Sequence, residues 1–433
     1  RNNMTMRSRM YRLGSKFGVG VIIVGLLVGV EGRLAYPPRA EAQSAQSLPN
    51  NFPFVSPNGL AATFSTQGSV NLSGEYFQAQ GSNGRSCSTC HIAENVWAIN
   101  PSTISLLFEL TGGTHPIFNA LDANNPDNDL STVEARRANY SMMLTRGVFR
   151  RGGAPRAVRE WDVIAVDDPH GFANANRIVQ WRRVMPTINF QLGSANVNWD
   201  GGNTVGTDQL AGLVKQANGN VTGAQQGQPA TADVIADIVN FELSLSTAQS
   251  VVVSVGRLNA AGARGGPEAL AQMTKTQGRF DLFDAWIDSP VPGRRQIARG
   301  QELFNNVNAG GRSCNACHNS ANNGTNINNT LFDTQTASAE VRTPDLPLYT
   351  LVNRVTGEQR QLTDTGAGNV TGLWKDLGRF KTPTMRALSA RAPYFHNGSA
   401  ATLEDVVRHY ERFLGFVFTD EEREDLVAFM KAL

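Results

Sequence analysis

The chain has 433 residues, an apolar fraction of 41% and a formal net charge of +2. This length exceeds a single typical domain of ~100–200 residues and predicts at least two domains. The nearly balanced charge argues against a nucleic-acid partner, which would require a strongly basic surface.

The N-terminal segment 1–42 has the pattern of a secretory signal. An apolar run covers Phe17–Val30, and Ala40-Glu41-Ala42 forms a small-residue cleavage site. The run is shorter than the ~20 residues of a membrane-spanning helix, which favours cleavage over a permanent anchor. A basic region precedes it, formed by Arg7, Arg9, Arg12 and Lys16. We therefore expect a periplasmic or secreted protein that keeps no stable membrane anchor.

The rest of the chain divides into three predicted parts. Residues 43–74 form a polar leader without clear periodicity. Residues 75–260 form an N-terminal domain with a long insertion at about 92–180, and residues 261–433 form a C-terminal domain. The Gly/Ala-rich stretch 254–268 is typical of a linker between them.

Several segments carry helical patterns. Apolar residues at helical spacing predict helices over Ser131–Arg146, Thr231–Leu245 and Gln296–Asn305. Thr419 and the acidic residues after it predict an N-cap that starts a helix through Leu433. The Gly/Asn/Gln-rich stretch 217–230 is interpreted as a surface loop.

The four cysteines fall as two C-x-x-C-H pentads, Cys87-Ser88-Thr89-Cys90-His91 and Cys314-Asn315-Ala316-Cys317-His318. In each pentad the two thiols can add to the two vinyl groups of one haem, and the adjacent histidine can ligate its iron. A redox dithiol needs no following histidine, and a zinc site would take ligands from both pairs. The pentads therefore predict two covalently bound haem c groups with His91 and His318 as iron ligands.

A resemblance appears in the C-terminal stretch 378–410, GRFKTPTMRALSARAPYFHNGSAATLEDVVRHY. Together with ARGQELF and the two pentads, it resembles the bacterial di-haem cytochrome c peroxidase/MauG superfamily. The resemblance implies a mainly α fold of two cytochrome c-like haem domains, with long loops and few short strands. It also implies an N-terminal haem that reacts with H2O2 or O2 and a C-terminal haem that relays electrons.

The resemblance carries over to particular residues. VMPTINFQLGSANVNWDGG is similar to the family's R-N-x-P-T…W-D-G-R segment, which places Trp199 between the two irons. An ordinary core aromatic is the alternative for Trp199. His396 matches a family histidine beside the C-terminal haem, where it would orient a propionate or the ligand loop rather than ligate iron. Lys381 of the GRFKTP element is expected to contact the cofactor.

Tyr410 stands where the peroxidases carry the distal methionine of the C-terminal haem, and MauG also uses tyrosine there. A phenolate stabilises ferric iron, so Tyr410 as a distal ligand would lower the reduction potential of this haem. The alternative is that Tyr410 only packs, and that His409 or no residue ligates the iron.

The sequence departs from the peroxidases on the distal side of the N-terminal haem. The family's distal Gln and Glu fall on Leu213 and Gly223, and no carboxylate occurs between Asp208 and Asp233. This weakens the expectation of an efficient peroxidase, because general acid–base groups assist cleavage of the O–O bond. Nearby polar candidates are Gln209 and Gln216.

Two histidines remain for the distal side of the N-terminal haem. His170 is the first candidate, because the peroxidases place a distal histidine shortly before the proline that matches Pro186. It would ligate the iron or act as an acid–base group. His115 is the second candidate, and either histidine is also compatible with an ordinary surface or core position.

The family's calcium site is altered, because its asparagine falls on Val184 and one backbone position falls on Arg391. A second Ca²⁺ candidate is the acidic loop at 122–129, although it lacks the Gly and Glu spacing of an EF-hand and a solvated loop is favoured. That loop contains Asp122, Asn124, Asp127 and Asp129. The insertion also has four arginines that either bind haem propionates or face solvent: Arg150, Arg151, Arg156 and Arg159.

These features favour a periplasmic, peroxidase-like di-haem oxidoreductase. Its partners would be H2O2 or O2 and a small redox protein, an organic molecule or a protein substrate, and a homodimer stays open. The alternative is a non-catalytic electron-transfer protein in which both irons are six-coordinate. A further alternative is a di-haem oxygenase, for which the long insertion would supply a substrate pocket.

Overall fold

The computed structural model describes residues 46–433. The predicted signal segment 1–42 therefore lies outside the described residues. No helix within residues 46–433 is long and apolar enough to cross a membrane.

Helices hold more residues of the described chain than strands do. In chain order they are α1 (Pro101–Thr111), α2 (Val133–Asn139), α3 (Ser141–Arg146), α4 (Gln209–Gly219), α5 (Ala232–Ser244), α6 (Pro267–Ala271), α7 (Pro292–Asn306), α8 (Cys314–Cys317), α9 (Gly368–Thr371), α10 (Leu403–Leu414) and α11 (Asp420–Ala432).

Strands are short but more numerous than predicted. They are β1 (Ser47–Pro49), β2 (Phe52–Ser56), β3 (Gly59–Ser65), β4 (Ser69–Asn71), β5 (Val148–Gly153), β6 (Trp161–Asp167), β7 (Ile178–Arg183), β8 (Leu245–Val252), β9 (Gly256–Arg257), β10 (Leu331–Phe332), β11 (Leu348–Asn353), β12 (Gln359–Leu362) and β13 (Phe380–Lys381). The expectation of few strands was wrong.

The strands form small antiparallel sheets that join distant parts of the sequence. The largest has the order β2-β3-β8-β9, and another has the order β12-β11-β6. In the first, Thr63 pairs with Thr247, so the segment predicted to be a polar leader is built into a sheet. β3 is largely buried between two partners, which removes the alternation that reveals a half-buried strand.

The predicted helices are confirmed for the three segments with the clearest periodicity or caps. α5 and α7 cover the predicted stretches. α11 begins after Thr419, whose side chain accepts from the backbone N–H of Glu422 while the Glu422 carboxylate accepts from Thr419. The predicted loop 217–230 was partly wrong, because α4 continues to Gly219 and a π-helical turn follows at Asn220–Ala224.

Each pentad lies beside its own apolar cluster. Cys87 packs against a cluster that includes Tyr76, Trp97 and Phe241. Cys314 packs against a second cluster formed largely by α7, α10 and α11. The division into domains at residue 260 remains a prediction.

The insertion is anchored to the C-terminal half of the chain by backbone pairing. β6 lies within the insertion and pairs antiparallel with β11, with Trp161 opposite Asn353 and Asp167 opposite Leu348. β7 follows at the end of the insertion and leads directly into the VMPT segment. Arg182 and Arg183 stand at the end of β7, and both line the cavity of the first pentad.

Candidate functional site

The first pentad begins in a single 3₁₀ turn, Cys87–Thr89, which is closed by reciprocal hydrogen bonds between Ser86 and Thr89. His91 follows, and its Nδ1 lies 3.0 Å from the backbone oxygen of Trp97. Because a carbonyl oxygen only accepts, Nδ1 carries the proton and Nε2 keeps its lone pair. Burial lowers the pKa of His91 to about 4, so the ring is neutral and can ligate a metal through Nε2.

The second pentad has the same arrangement. Its cysteines lie on α8, whose N-terminus is capped by Ser313. The Nδ1 of His318 lies 2.6 Å from the backbone oxygen of Gly324, and burial lowers the pKa of His318 to about 4. Both imidazoles are thus held in the tautomer that an iron ligand requires.

A cavity of about 210 Å³, open to solvent, lies against the first pentad. Cys87, Cys90 and His91 form one part of its wall, and Trp199 and Lys381 form another. The cavity therefore extends from the first pentad to Trp199, the residue predicted to lie between the haems.

A buried arginine without a hydrogen-bond partner among the described residues, and a buried lysine of the cavity wall, favour an anionic group beside them. Arg386 is fully buried, and none of its three side-chain nitrogens has a hydrogen-bond partner among the described residues. Burial lowers the pKa of Arg386 to about 9 and that of Lys381 to about 8. An unpaired buried charge costs several kcal/mol, about 3–5 when a partner is removed, so these cations fit the propionates of bound haem.

Trp199 lies where β7 and β13 meet. Its indole N–H donates to the backbone oxygen of Arg183 at 2.8 Å, and its own backbone oxygen accepts from the N–H of Lys381 at 2.7 Å. The ring of His396 approaches it edge-on, with centroids 6.3 Å apart. Trp199 is therefore fixed at both its backbone and its indole nitrogen.

His396 is buried beside Trp199. Its ring stacks on Phe380 with centroids 4.0 Å apart, and its Nδ1 lies 3.4 Å from the hydroxyl of Thr336. Burial lowers the pKa of His396 to about 4. The structure thus places His396 in the region around Trp199, while its predicted contact with a haem stays a prediction.

Tyr410 lies on α10 and is brought to the second pentad. Tyr410 is half-buried, and the pKa of its phenol is raised first by burial and then by the nearby thiols of Cys317 and Cys314. The neighbouring His409 is engaged elsewhere, because its Nε2 lies 2.8 Å from the backbone oxygen of Thr334. Of these two residues, Tyr410 is the one placed near the cysteines.

His170 and His115 are not brought to the first pentad, since neither lines its cavity. The Nε2 of His170 lies 3.1 Å from the backbone oxygen of Asp345, and its ring packs edge-on to Trp181 at 5.8 Å. The Nδ1 of His115 accepts from the N–H of Ile117 at 3.2 Å. The proximity of His170 to Pro186 in sequence is lost because β7 carries the chain away between them.

Two carboxylates of the acidic loop have partners within the protein. Asp122 is buried and pairs with Arg85 at 2.7 Å and Arg151 at 3.0 Å, while the carboxylate of Asp129 accepts from the N–H and hydroxyl of Ser131. No group of three or more His, Cys, Asp or Glu side chains among residues 46–433 is placed to hold a metal ion. Ca²⁺ binding in this loop stays a prediction.

Of the four arginines in the insertion, Arg151 lines the cavity of the first pentad. The other three make contacts elsewhere. Arg150 donates to the backbone of Leu121 and Ala123, Arg156 donates to the backbone of Val370, and Arg159 pairs with Asp162. Of the four arginines, only Arg151 is therefore placed to contact a propionate of a haem bound in this cavity.

Glu242 is a cavity residue that the sequence interpretation missed. It lies on α5, is 2% exposed, lines the cavity, and its Oε2 has no hydrogen-bond partner among the described residues. Burial raises its pKa to about 8, so the carboxyl is protonated at neutral pH. The helical spacing could have indicated that Glu242 faces the interior, because it stands three and four residues after the buried Val239 and Ile238.

Two further polar or polarisable side chains line the same cavity. Gln216 on α4 has a buried Oε1 without a partner among the described residues, and the thioether of Met185 lies just before Pro186. Gln209, the other predicted candidate, instead donates to the backbone oxygen of Ser194 at 2.9 Å. The cavity therefore contains a neutral acid, an amide and a thioether in addition to His91.

Both C-x-x-C-H sites present the residues that covalent haem attachment uses, two cysteines and a neutral histidine. Comparison with known proteins agrees, although no family model matches the chain. The cytochrome-c peroxidase IdrP1 of Denitromonas iodatirespirans is 29% identical over 174 residues, which are 36% of this chain and 44% of that protein. The cytochrome c551 peroxidase of Nitrosomonas europaea is 44% identical over 69 residues, 16% of this chain and 21% of that protein.

A third relative is the methylamine utilization protein MauG of Methylorubrum extorquens, 37% identical over 65 residues, 12% of this chain and 18% of that protein. The matches to these three relatives span less than half of each relative's own length. They confirm the resemblance to the bacterial di-haem cytochrome c peroxidase/MauG superfamily.

Among solved structures, the chain is similar to a MauG-like protein associated with microbial copper homeostasis. The alignment has a TM-score of 0.36 and 18% identity, and it covers 58% of this chain and 73% of that one. A likeness at this level carries no argument about the fold or the activity of this chain.

Proposed function

We propose that this chain is an exported di-haem c-type oxidoreductase that reduces H2O2 or O2 at its first pentad. The observation that carries the proposal is the cavity that extends from Cys87, Cys90 and His91 to Trp199 and Lys381. A single open space thus reaches from the first pentad to Trp199.

Bound at the pentads, haem would supply iron for oxidant reduction at the first site and for electron storage at the second. Cys87 and Cys90 would attach the first group, and His91 would ligate its iron. Arg386 and Lys381 would neutralise propionates. Tyr410 would be the distal ligand at the second site, as its position near Cys314 and Cys317 supports.

The cavity residues supply protons and hydrogen bonds. Reduction of one H2O2 to two water molecules takes up two electrons and two protons. Glu242 is protonated at neutral pH and lines the cavity, so it can donate a proton, and Gln216 can orient the oxidant. These residues would replace the distal Gln and Glu of the peroxidases, whose positions fall elsewhere in this sequence.

Trp199 would pass electrons from the second site to the first. Its indole N–H donates to the backbone of Arg183 and its backbone oxygen accepts from Lys381, which keeps the ring in one orientation. A fixed orientation favours a relay, because each transfer then starts from the same geometry.

The closed electron carrier is the second candidate. It requires a side chain that seals the first iron, and His91 is the one histidine that lines the cavity among the described residues. Met185 is the thioether that could still close the site. The open site is favoured because neither predicted distal histidine lies there.

The proposal is tested on purified holoprotein that carries the full chain. We expect two haem c groups per chain and consumption of H2O2 with a chemical one-electron donor. The matched variants Cys87→Ala/Cys90→Ala and Cys314→Ala/Cys317→Ala should each retain one haem, and the first should lose its reaction with H2O2. Full consumption of H2O2 without the first haem would overturn the proposal.

A further inference from the structure

A buried ion cluster lies next to Trp199. The guanidinium of Arg182 makes two hydrogen bonds to Asp364, from Nε to Oδ2 at 2.8 Å and from Nη2 to Oδ1 at 2.9 Å. Its remaining nitrogen, Nη1, donates to Oδ2 of Asp200. The side chains of Arg182 and Asp364 are 8% and 2% exposed, so solvent screens this cluster weakly.

The cluster joins three segments that are distant in sequence. Arg182 lies at the end of β7, Asp200 directly follows Trp199, and Asp364 follows β12 in the C-terminal half. Both carboxylates are also held by backbone N–H groups, Asp364 by Gly366 and Asp200 by Gly202. One guanidinium therefore connects the Trp199 segment to the C-terminal half of the chain.

We propose that Arg182 is a positioning residue that fixes Trp199 relative to the C-terminal half, and thereby sets the rate at which electrons cross between the two sites. This inference rests on the relay role proposed for Trp199. The guanidinium of Arg182 donates to Asp364 and Asp200 rather than to Trp199, so it acts on the indole through Asp200.

The geometry requires arginine. A planar guanidinium can bind one carboxylate with two parallel hydrogen bonds and still donate to a second, whereas the ammonium of lysine is a point charge without this fork. His396 cannot take over, because its Nε2 is 3.8 Å from Asp364, beyond hydrogen-bond distance. Without Arg182, the Asp200–Asp364 link is lost, and the buried carboxylate of Asp364 repels the half-buried carboxylate of Asp200.

The test compares Arg182→Lys with the wild-type holoprotein. Lysine keeps the charge but loses the bridge. The matched control is Arg299→Lys, because Arg299 also binds a carboxylate with two hydrogen bonds, to Asp425, at a site on α7. Asp200→Asn is a second variant. It weakens the hydrogen bond between Arg182 and the Trp199 segment, and it leaves the ion pair between Arg182 and Asp364 intact.

Two readouts are measured. The first is the rate of electron redistribution between the haems after H2O2 mixing, followed by stopped-flow spectroscopy. The second is hydrogen exchange of the Lys381 amide, which donates to the backbone oxygen of Trp199. A 1 Å misplacement of reacting groups can cost up to ~100-fold, so we expect redistribution to slow by roughly ten-fold in Arg182→Lys. Amide exchange should rise in the same variant and in Asp200→Asn, with Arg299→Lys unchanged.

The outcomes separate this inference from the proposed function. Wild-type redistribution in Arg182→Lys and Asp200→Asn, alongside slow redistribution in Trp199→Phe, would overturn the role of Arg182 alone. Wild-type redistribution in Trp199→Phe would remove the relay, and this inference with it. Equal slowing in Arg299→Lys would mean a general loss of stability and would also overturn the inference. If Arg182→Lys fails to fold, Asp200→Asn decides by the same two readouts.

Discussion

The indole N–H of Trp199 donates to the backbone oxygen of Arg183 at 2.8 Å. This hydrogen bond ties the residue predicted to lie between two haems to the last residue of β7, at the end of the insertion. The insertion itself pairs with β11 of the C-terminal half. The position of Trp199 is therefore determined by contacts with the end of the insertion and with the C-terminal half of the chain.

Trp199→Phe should slow electron redistribution between the haems by roughly ten-fold, because the ring is smaller and its hydrogen bond to Arg183 is lost. The measurement is stopped-flow absorbance after mixing with H2O2. Trp374→Phe is the control, since Trp374 is also partly buried and its N–H donates to Glu358 near the surface. Equal rates of redistribution in wild type and Trp199→Phe would mean that electrons cross between the haems by another route.

Tyr410→Phe should change the optical and EPR signature of one haem only. The phenol lies near the cysteines of the second pentad, so the first haem should keep its spectrum. Loss of a phenolate ligand should also raise the potential of the affected haem. His409→Asn serves as the neighbouring control, and an unchanged spectrum in Tyr410→Phe would reject Tyr410 as a ligand.

Glu242→Gln should lower the rate of the reaction with H2O2 by about 100-fold, the lower end of the contribution of general acid–base groups. Because burial raises the pKa of Glu242 to about 8, the acid is protonated below that pH and able to donate. The wild-type rate should thus fall as the pH rises through about 8. A pH–rate profile for Glu242→Gln should lack this step; an identical profile would exclude Glu242 as the donor.

His170→Ala should leave both haem spectra and the reaction with H2O2 unchanged, because His170 contacts Asp345 and Trp181 rather than the cavity. Met185→Leu is the variant to compare with His170→Ala, since Met185 lines the cavity. A change from low-spin to high-spin iron in Met185→Leu would identify a thioether that closes the first site. The same change in His170→Ala would contradict the position of His170 outside the cavity.

Arg386→Leu should lower the reduction potential of the second haem. A buried positive charge favours the reduced iron, which carries one positive charge less, and the neighbouring Met385 packs against Gly324, whose carbonyl holds His318. Spectroelectrochemical titration measures the shift. Arg379→Leu is the control, because Arg379 donates to the backbone oxygens of Lys375 and Leu331 instead; equal potentials in Arg386→Leu and wild type would argue against a propionate partner.

The parts of the structure that could be predicted are those encoded locally. The pentads require only five consecutive residues, and α11 follows from the Thr419–Glu422 capping box. Glu242 also had a local signal in the spacing of α5. The family resemblance did not point to it, because the family's carboxylate position falls between Asp208 and Asp233.

The parts that could not be predicted depend on contacts across long sequence separations. β3 is paired on both edges and shows no alternation, so its sequence resembles a polar leader. Arg182 meets Asp364 across 182 residues. His170 is near Pro186 in sequence but does not line the cavity, because β7 intervenes. Neither spacing nor composition carries that information.

The most direct test of the proposed function is an optical titration of the diferric holoprotein with stoichiometric H2O2. We expect a rapid change at both haems, since the first iron is open and Trp199 connects it to the second. An unchanged spectrum, with both irons low-spin throughout, would contradict the open cavity and leave the chain as an electron carrier.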